Sequence, residues 1–227
     1  MPGPVLHLEA GSRTAHVVAT SVADGDFAVT APRVELDVRR RAVVDLPWTW
    51  MHQVHGAAVV RVAEPGEGAG RDADAAVTAI PNAALAVQVA DCAPVALVGS
   101  NGVVGIAHVG WRGLVAGVLT ATLDAMGDAD VDAVIGPCIH PECYEFGTEE
   151  LARVAAVAGP DVRAHTTDGG PALDLRAGIA HVLGSRGVVL VPSPWDDDCT
   201  SCTAGYWSHR ARGDKGRQAM VVWMAAP

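Results

Sequence analysis

Three apolar runs in close succession limit what this chain can become. Ala84-Leu-Ala-Val-Gln-Val-Ala90, Val95-Ala-Leu-Val98 and Val103-Val-Gly-Ile-Ala-His-Val109 are apolar at nearly every position, the pattern of strands buried inside a fold. Asn101-Gly102, between the second and third runs, predicts a tight hairpin turn, because both residues tolerate a left-handed backbone. Asp91-Cys92-Ala93-Pro94 joins the first run to the second and sets an acid and a thiol at the ends of apolar strands.

Around this centre the chain reads as mixed α/β. Residues 1–45 suggest short strands and turns: a strand from Thr14 to Thr20, a turn at Ala23-Asp-Gly-Asp26, and a period-two alternation at Val34-Glu-Leu-Asp-Val38. The run from Arg39 to Leu46 reads as a short helix or a solvated basic patch. Further strands are expected at Ala57–Val62, Val131–Gly136, Gly187–Val191 and Met220–Met224, with a surface loop at Glu64–Gly70. Helical spacing covers Leu114–Met126, stopping near Gly127, then Thr148–Ala158 with Thr148 as N-cap, and Leu173–Leu183. Repeats, long linkers and composition breaks are absent, so one domain over residues 1–227 is expected. Neither a G-x-G-x-x-G turn nor a Walker phosphate loop occurs, which argues against a doubly wound nucleotide fold.

Composition narrows the partners. Half of the residues are hydrophobic and 19% are charged, enough apolar surface to offset the entropy of ordering. The formal net charge of −10 repels phosphate backbones and anionic lipid surfaces, which excludes nucleic acid and membrane as expected partners while leaving room for a local anion pocket. The N-terminal stretch lacks a basic segment followed by an apolar run, and the expectation is a cytoplasmic protein, a monomer acting on a small molecule. Five cysteines, an odd count in a chain this long, point to reduced or metal-bound thiols rather than a disulfide framework.

Three reactive groups stand at or beside apolar strand ends: His55, Cys92 and His108. Two imidazoles and a thiolate make a good zinc set, and three protein ligands leave a fourth position for water or substrate, as in catalytic zinc. Spacing alone does not demand this, because a single His is more often a hydrogen-bonded structural residue and a single Cys a small buried hydrophobe. Cys138, Cys143 and the pair Cys199-x-x-Cys202 invite a structural zinc held by four thiolates, disfavoured because the first pair is loosely spaced. A thioredoxin-like redox pair at Cys199 and Cys202 lacks the surrounding βαβ unit. His52 reads as solvent-facing and His140 as exposed in a turn; Arg39, Arg40 and Arg41 read as solvated surface first and as a phosphate clamp second.

Read in order, Gln53-Val-His-Gly56, Ala90-Asp-Cys-Ala-Pro94, Ala107-His-Val-Gly-Trp-Arg-Gly113 and Ile135-Gly-Pro-Cys-Ile-His-Pro-Glu-Cys-Tyr-Glu-Phe-Gly147 resemble the signature blocks of the YfiH family, also called the polyphenol oxidase or laccase-domain family. Leu173-Asp-Leu-Arg, Cys199-Thr200 and Gly216-Arg-Gln-Ala extend the resemblance toward the C-terminus. It implies an α/β (mixed α+β) sandwich of two mixed sheets flanked by helices, and a metal site on His55, Cys92 and His108. It also implies phosphorolysis of purine nucleosides such as adenosine, inosine and methylthioadenosine, with adenosine deamination at the same site. Zinc is the expected ion; copper is less suited, since oxygen reduction wants more copper than one such ligand set can hold.

On this resemblance Asp91 is expected as a proton shuttle or as the acid that orients His55 or His108, and Arg112 as a phosphate contact near a helix start. Arg112 is equally readable as an Arg paired with a core carboxylate. Gln53, Trp111, Cys138, Cys143 and Tyr144 are expected at the substrate, with Trp111 and Tyr144 either stacking on a purine or filling the core. The chain departs from the family in two places. Residues 17–38 keep only Val22-Ala-Asp-Gly-Asp26 of an N-terminal Gly-Gly-Val-Ser, Ser-x-Asn-Leu-Gly, Val-Gly-Asp stretch that in the family helps form the substrate side of the pocket. The family's Ser-Tyr-Arg-Arg is Ser208-His209-Arg210-Ala211, one Arg fewer. Competing readings are a hydrolase that edits UDP-muramoyl-serine in peptidoglycan precursors, with Cys92 as ligand or nucleophile, a copper-dependent polyphenol oxidase, and a metal-binding module of reduced catalysis.

Overall fold

The computed structural model of the protein describes residues 3–226. Its strands are β1 (Val5–Ala10), β2 (Arg13–Ala19), β3 (Trp48–Trp50), β4 (Val59–Val62), β5 (Ala75–Thr78), β6 (Ala84–Val89), β7 (Ala93–Gly99), β8 (Val104–Val109), β9 (Val131–Ile135), β10 (Arg163–His165), β11 (Pro171–Leu173), β12 (Val189–Leu190) and β13 (Gln218–Met224). The helices are α1 (Arg33–Val43), α2 (Trp111–Ala116), α3 (Val118–Met126), α4 (Thr148–Ala158), α5 (Leu175–Gly184) and α6 (His209–Arg212).

Two large mixed sheets stack face to face. One runs β1-β2-β13-β6-β3 and the other β12-β9-β7-β8-β5-β4; β10 and β11 form a separate ribbon. Between the sheets, Val17, Leu85, Val87, Met220 and Val222 meet Val60, Ala96, Val98, Val104 and Ile106. The outer face of the six-stranded sheet offers Val95, Leu97, Ala107 and Val109 to Leu114, Leu119, Val154 and Ile179 of α2 to α5. The other sheet covers Ala84, Ala86 and Val221 with Leu36 of α1, Phe27 and Trp48. Each central strand is therefore packed on both faces, which is why the runs in β6, β7 and β8 carry no polar alternation. The expected fold class, two mixed sheets flanked by helices, is the observed one.

Local readings differ in four places. Val34-Glu-Leu-Asp-Val38 lies in α1 rather than in a strand: Val34 and Val38 are 78% and 55% exposed and only Leu36 is buried, so the alternation did not mark a sheet face. The Glu35–Arg39 pair at 2.7 Å supports the helical turn instead. The helix over Leu114–Met126 is two helices meeting at Gly117, whose φ of 87° breaks the hydrogen-bond ladder. Thr148 opens α4 but makes no side-chain cap, and the N-cap is Gly147. Leu173 ends β11, and α5 starts after Asp174, whose carboxylate caps Ala177 N–H at 2.8 Å.

What matters for function is one end of the six-stranded sheet. Antiparallel pairing of β5 with β8 places Ala75 opposite Ala107, so Asp74 and His108 become neighbours at the same end. β7 sets Pro94 opposite His108, bringing Cys92 alongside.

Candidate metal centre

His55, Cys92 and His108 converge, each offering one ligand atom, with those atoms all within 4.8 Å of one another. Cys92 Sγ lies 3.8 Å from His55 Nε2, and the two imidazole centroids are 4.8 Å apart at 72°. His108 is 3% exposed at the end of β8, whereas His55 is exposed, so the cluster has a closed side and an open side. His55 and Asp91 both adopt left-handed φ, at 59° and 91°, in the two loops that carry the cluster. A non-glycine residue held there needs its neighbours to compensate.

For His55 the compensation comes from Asp74, which the sequence reading missed. This carboxylate is fully buried and accepts four bonds: Nδ1–H of His108 at 2.8 Å, and backbone N–H of Val54 at 3.2 Å, His55 at 2.9 Å and Gly56 at 2.7 Å. One side chain thereby selects the His108 tautomer with Nε2 free for a metal and holds the loop that presents His55. Burial raises the Asp74 pKa, but the bonds from His108 and the backbone outweigh it and keep the group ionised below the usual carboxylate range. A lone Asp between Ala73 and Ala75 gave no motif signal; the clue available was a charge set immediately before an apolar strand.

The pair beside it is polarised. Burial opposes ionisation of Cys92, yet the charge and hydrogen bonding of His108, then of His55, bring its thiol down to about 6. Burial also opposes protonation of His108, but the Cys92 charge and the Asp74 bond raise it to about 9. Without a metal the cluster is therefore a thiolate–imidazolium pair: the sulfur is already charged for a cation, and His108 must give up its Nε2 proton before that nitrogen can bind one. Two nitrogens and one soft sulfur suit zinc-like chemistry, and three protein ligands leave room for a fourth. Gly110 keeps the space open, because a Cβ there would stand 2.9 Å from Cys92 Sγ and 3.0 Å from His55 Cδ2.

The cluster forms one wall of a cavity of about 420 Å³, lined also by Thr30, Gln53, Gln88, His209, Lys215 and Arg217. Gln53 reaches it as expected, but its amide is engaged: Nε2–H donates to Gln88 O at 2.7 Å and Oε1 accepts Gln88 N–H at 2.8 Å. The buried Nε2 of Gln88 itself has no partner among the described residues. Ala28, Val29 and Thr30 are among the lining residues, so the divergent N-terminal arm still contributes to the cavity.

Other expected residues are placed differently. Asp91 is buried, and it orients neither imidazole: Oδ1 accepts the hydroxyls of Thr200 at 2.8 Å and Ser208 at 2.7 Å, and Oδ2 accepts Arg210 N–H at 2.7 Å. It ties the C-terminal loop to the Cys92 turn, and Asp74 takes the orienting role. Arg112 is exposed and stacked on Trp111 at 4.5 Å, outside the cavity lining and, among the described residues, without a core carboxylate partner. Trp111 and Tyr144 pack edge-on against Phe146, at 5.6 and 5.3 Å. Neither Trp111 nor Tyr144 is among the cavity-lining residues; burial and then the charge of Cys92 push the Tyr144 phenol up. Cys138 is fully buried in the core, where burial raises its thiol to about 12, so it is not a pocket wall. Cys143 lies 2.7 Å from Cys202 in a second group of ligating side chains. His52 faces solvent as expected, bonded to Asp72 at 2.8 Å, whereas His140 is mostly covered, with 16% of its side chain exposed. Among the described residues no helix is long and apolar enough to cross a membrane.

Comparison with known proteins gives a consistent picture. The family described as multi-copper polyphenol oxidoreductase laccase matches residues 14–225. A protein of Streptomyces coelicolor named purine nucleoside phosphorylase is 42% identical over 212 residues, covering 90% of this chain and 86% of that protein. One of Mycobacterium tuberculosis with the same name is 37% identical over 212 residues, covering 89% and 82%. The crystal structure of a Neisseria meningitidis protein of the DUF152 family superposes with a TM-score of 0.83 at 26% identity, over 99% of this chain and 100% of that one.

Proposed function

The chain belongs to the multi-copper polyphenol oxidoreductase laccase family, the YfiH-like group, and we propose that within it the protein is a zinc-dependent purine nucleoside phosphorylase. The observation that carries this reading is the make-up of the cavity. Its lining holds His55, Cys92 and His108 together with Lys215 and Arg217, and no Asp or Glu is among its lining residues. A cavity with cationic groups and no carboxylate suits an anionic co-substrate. It does not suit deamination, which needs a carboxylate to move protons on and off an attacking water.

In this reading His55 and His108 through Nε2 and Cys92 through Sγ hold the ion. When bound, it supplies a Lewis-acid centre next to the reacting groups. Lys215 and Arg217 hold phosphate by charge, against the anomeric carbon of the ribose. The unpartnered Gln88 amide donates to the purine, and Gln53 keeps the Gln88 backbone in place. Asp74 orients His108 and the His55 loop, while Asp91 fixes the loop that delivers Lys215 and Arg217. About 420 Å³ is within the range of small-molecule pockets.

The relatives named purine nucleoside phosphorylase support this choice. Phenol oxidation by several coppers is disfavoured by the donors: the only other ligand group among the described residues is three cysteines and a glutamate, without imidazole. The test is release of free base from inosine and adenosine by metal-loaded protein, with and without phosphate. Phosphate-dependent release with ribose 1-phosphate as co-product supports the reading. Ammonia release indifferent to phosphate, or turnover only of UDP-muramoyl-serine, would replace it.

A further inference from the structure

Away from this cavity, Glu142, Cys143, Cys199 and Cys202 bring one carboxylate oxygen and three sulfurs within 4.8 Å of one another. They come from two separate segments. Glu142 and Cys143 lie in the short 3-10 turn Pro141–Cys143, and Cys199-x-x-Cys202 is a tight turn closed by Thr203 N–H on Cys199 O at 2.8 Å. Cys143 Sγ is 2.7 Å from Cys202 Sγ, and Cys202 Sγ is 3.5 Å from Cys199 Sγ.

We propose that these four side chains are a second metal site, a structural one for a soft divalent ion of the zinc type, with Cys143, Cys199 and Cys202 as thiolates and Glu142 as the fourth ligand. The Cys199-x-x-Cys202 pair has the spacing of closed zinc sites, and the Glu142–Cys143 turn brings the other two ligands from a separate segment. It differs from the four-thiolate set considered from sequence, because Cys138 turns into the core and Glu142 takes its place. The backbone supports a charged sulfur here: His140 N–H donates to Cys199 Sγ at 3.4 Å. A disulfide between Cys143 and Cys202 would account for two of the four groups and leave the Cys199 sulfur and Glu142 converging on nothing.

The site has a position that matters. Thr200, next to Cys199, donates to Asp91, and Asp91 adjoins Cys92. Thr200 N–H also donates to Cys138 O at 3.0 Å, continuing the bridge between residues 138 and 199. An ion here would fasten the segment that leads from Cys199 to Lys215 and Arg217 onto the body of the six-stranded sheet. Binding replaces the thiol protons of three cysteines with one divalent charge, which is retained without any oxidant.

The experiment is a metal count on full-length protein purified in reductant, together with Cys92→Ser and the double variant Cys199→Ser, Cys202→Ser. The expectation is about two zinc per chain for the natural sequence and about one for each variant. Cobalt substitution of Cys92→Ser then shows thiolate-to-cobalt absorption, which in that variant arises from the second site alone. If the double variant does not fold, Cys92→Ser alone decides the matter. The proposal is overturned if the natural sequence binds one zinc that Cys92→Ser loses, or if intact mass after reduction-free denaturation shows a Cys143–Cys202 disulfide in protein kept under reductant. Neither reading depends on nucleoside turnover, so an inactive enzyme with two zinc ions would leave this site standing and remove only the phosphorylase assignment.

Discussion

Asp74 Oδ1 lies 2.8 Å from His108 Nδ1, with both side chains buried, and the same carboxylate receives the backbone N–H groups of residues 54, 55 and 56. One acid therefore sets the tautomer of one imidazole and the loop position of the other. Asp74→Asn is expected to place an amide among these donors and weaken zinc binding about 10- to 100-fold, the usual loss when an orienting neighbour of a ligand is removed. Asp74→Ala adds a stability loss of about 1–3 kcal/mol for the buried His108 Nδ1–H left without a partner. Competition with a chromophoric chelator and thermal melts read the two effects; unaltered zinc affinity in Asp74→Asn would remove this residue from the site.

The polarised pair predicts a pH dependence in metal-stripped protein. A lowered thiol pKa means that Cys92 is neutral below about 6 and becomes a thiolate as pH rises past that value, well before an ordinary cysteine. His108, raised to about 9, stays protonated over the same interval and compensates the charge. The alkylation rate at Cys92, followed by peptide mass, should rise around pH 6 and move upward in His108→Gln. Zinc uptake near pH 7.5 should release about one proton, from His108, measurable by calorimetry in buffers of different ionisation enthalpy.

Gly110 is a steric requirement rather than a backbone one, since its φ of −86° suits any residue. Gly110→Ala would force a methyl group against Cys92 Sγ and His55 Cδ2. Zinc affinity should fall on the order of tenfold or more with little change in far-UV circular dichroism. Full affinity in this variant would mean that the ring and thiol need not stand where they do.

Phosphate recognition separates two cations. Lys215 lines the cavity, and its ammonium makes no hydrogen bond or ion pair among the described residues; Arg112 lies on Trp111 outside it. Lys215→Ala is expected to raise the KM for phosphate about tenfold, whereas Arg112→Ala leaves it unchanged. The opposite ranking in steady-state kinetics would return the anion to the α2 side.

Gln88 tests the nucleoside side. Its backbone is held by Gln53, so Gln88→Leu removes only the unpartnered amide. The KM for inosine should rise roughly fivefold or more, on the order of 1 kcal/mol for one lost hydrogen bond, with zinc content unchanged. An unchanged KM would mean that the purine lies elsewhere in the cavity.

The apolar runs of β6, β7 and β8, the hairpin at Asn101-Gly102 and the reactive groups His55, Cys92 and His108 were legible in sequence, because burial on both faces and strand-end chemistry are written in residue type. So was the two-sheet class, through ordered motif blocks. The strand read at residues 34–38 failed because five alternating residues also fit a helix with one apolar anchor, Leu36.

Pairing across the chain decided what residue type could not. Asp74 and Asp91 are each one acid beside one apolar strand, and in sequence Asp91 looked the better partner because it adjoins Cys92. Antiparallel register sets Asp74 against His108, while the left-handed turn at Asp91 directs that carboxylate to Thr200, Ser208 and Arg210. The same long-range closure brings Cys143 to Cys202. A side chain's chemistry is local, but its partner depends on strand register and loop path, and those follow from how the whole core packs.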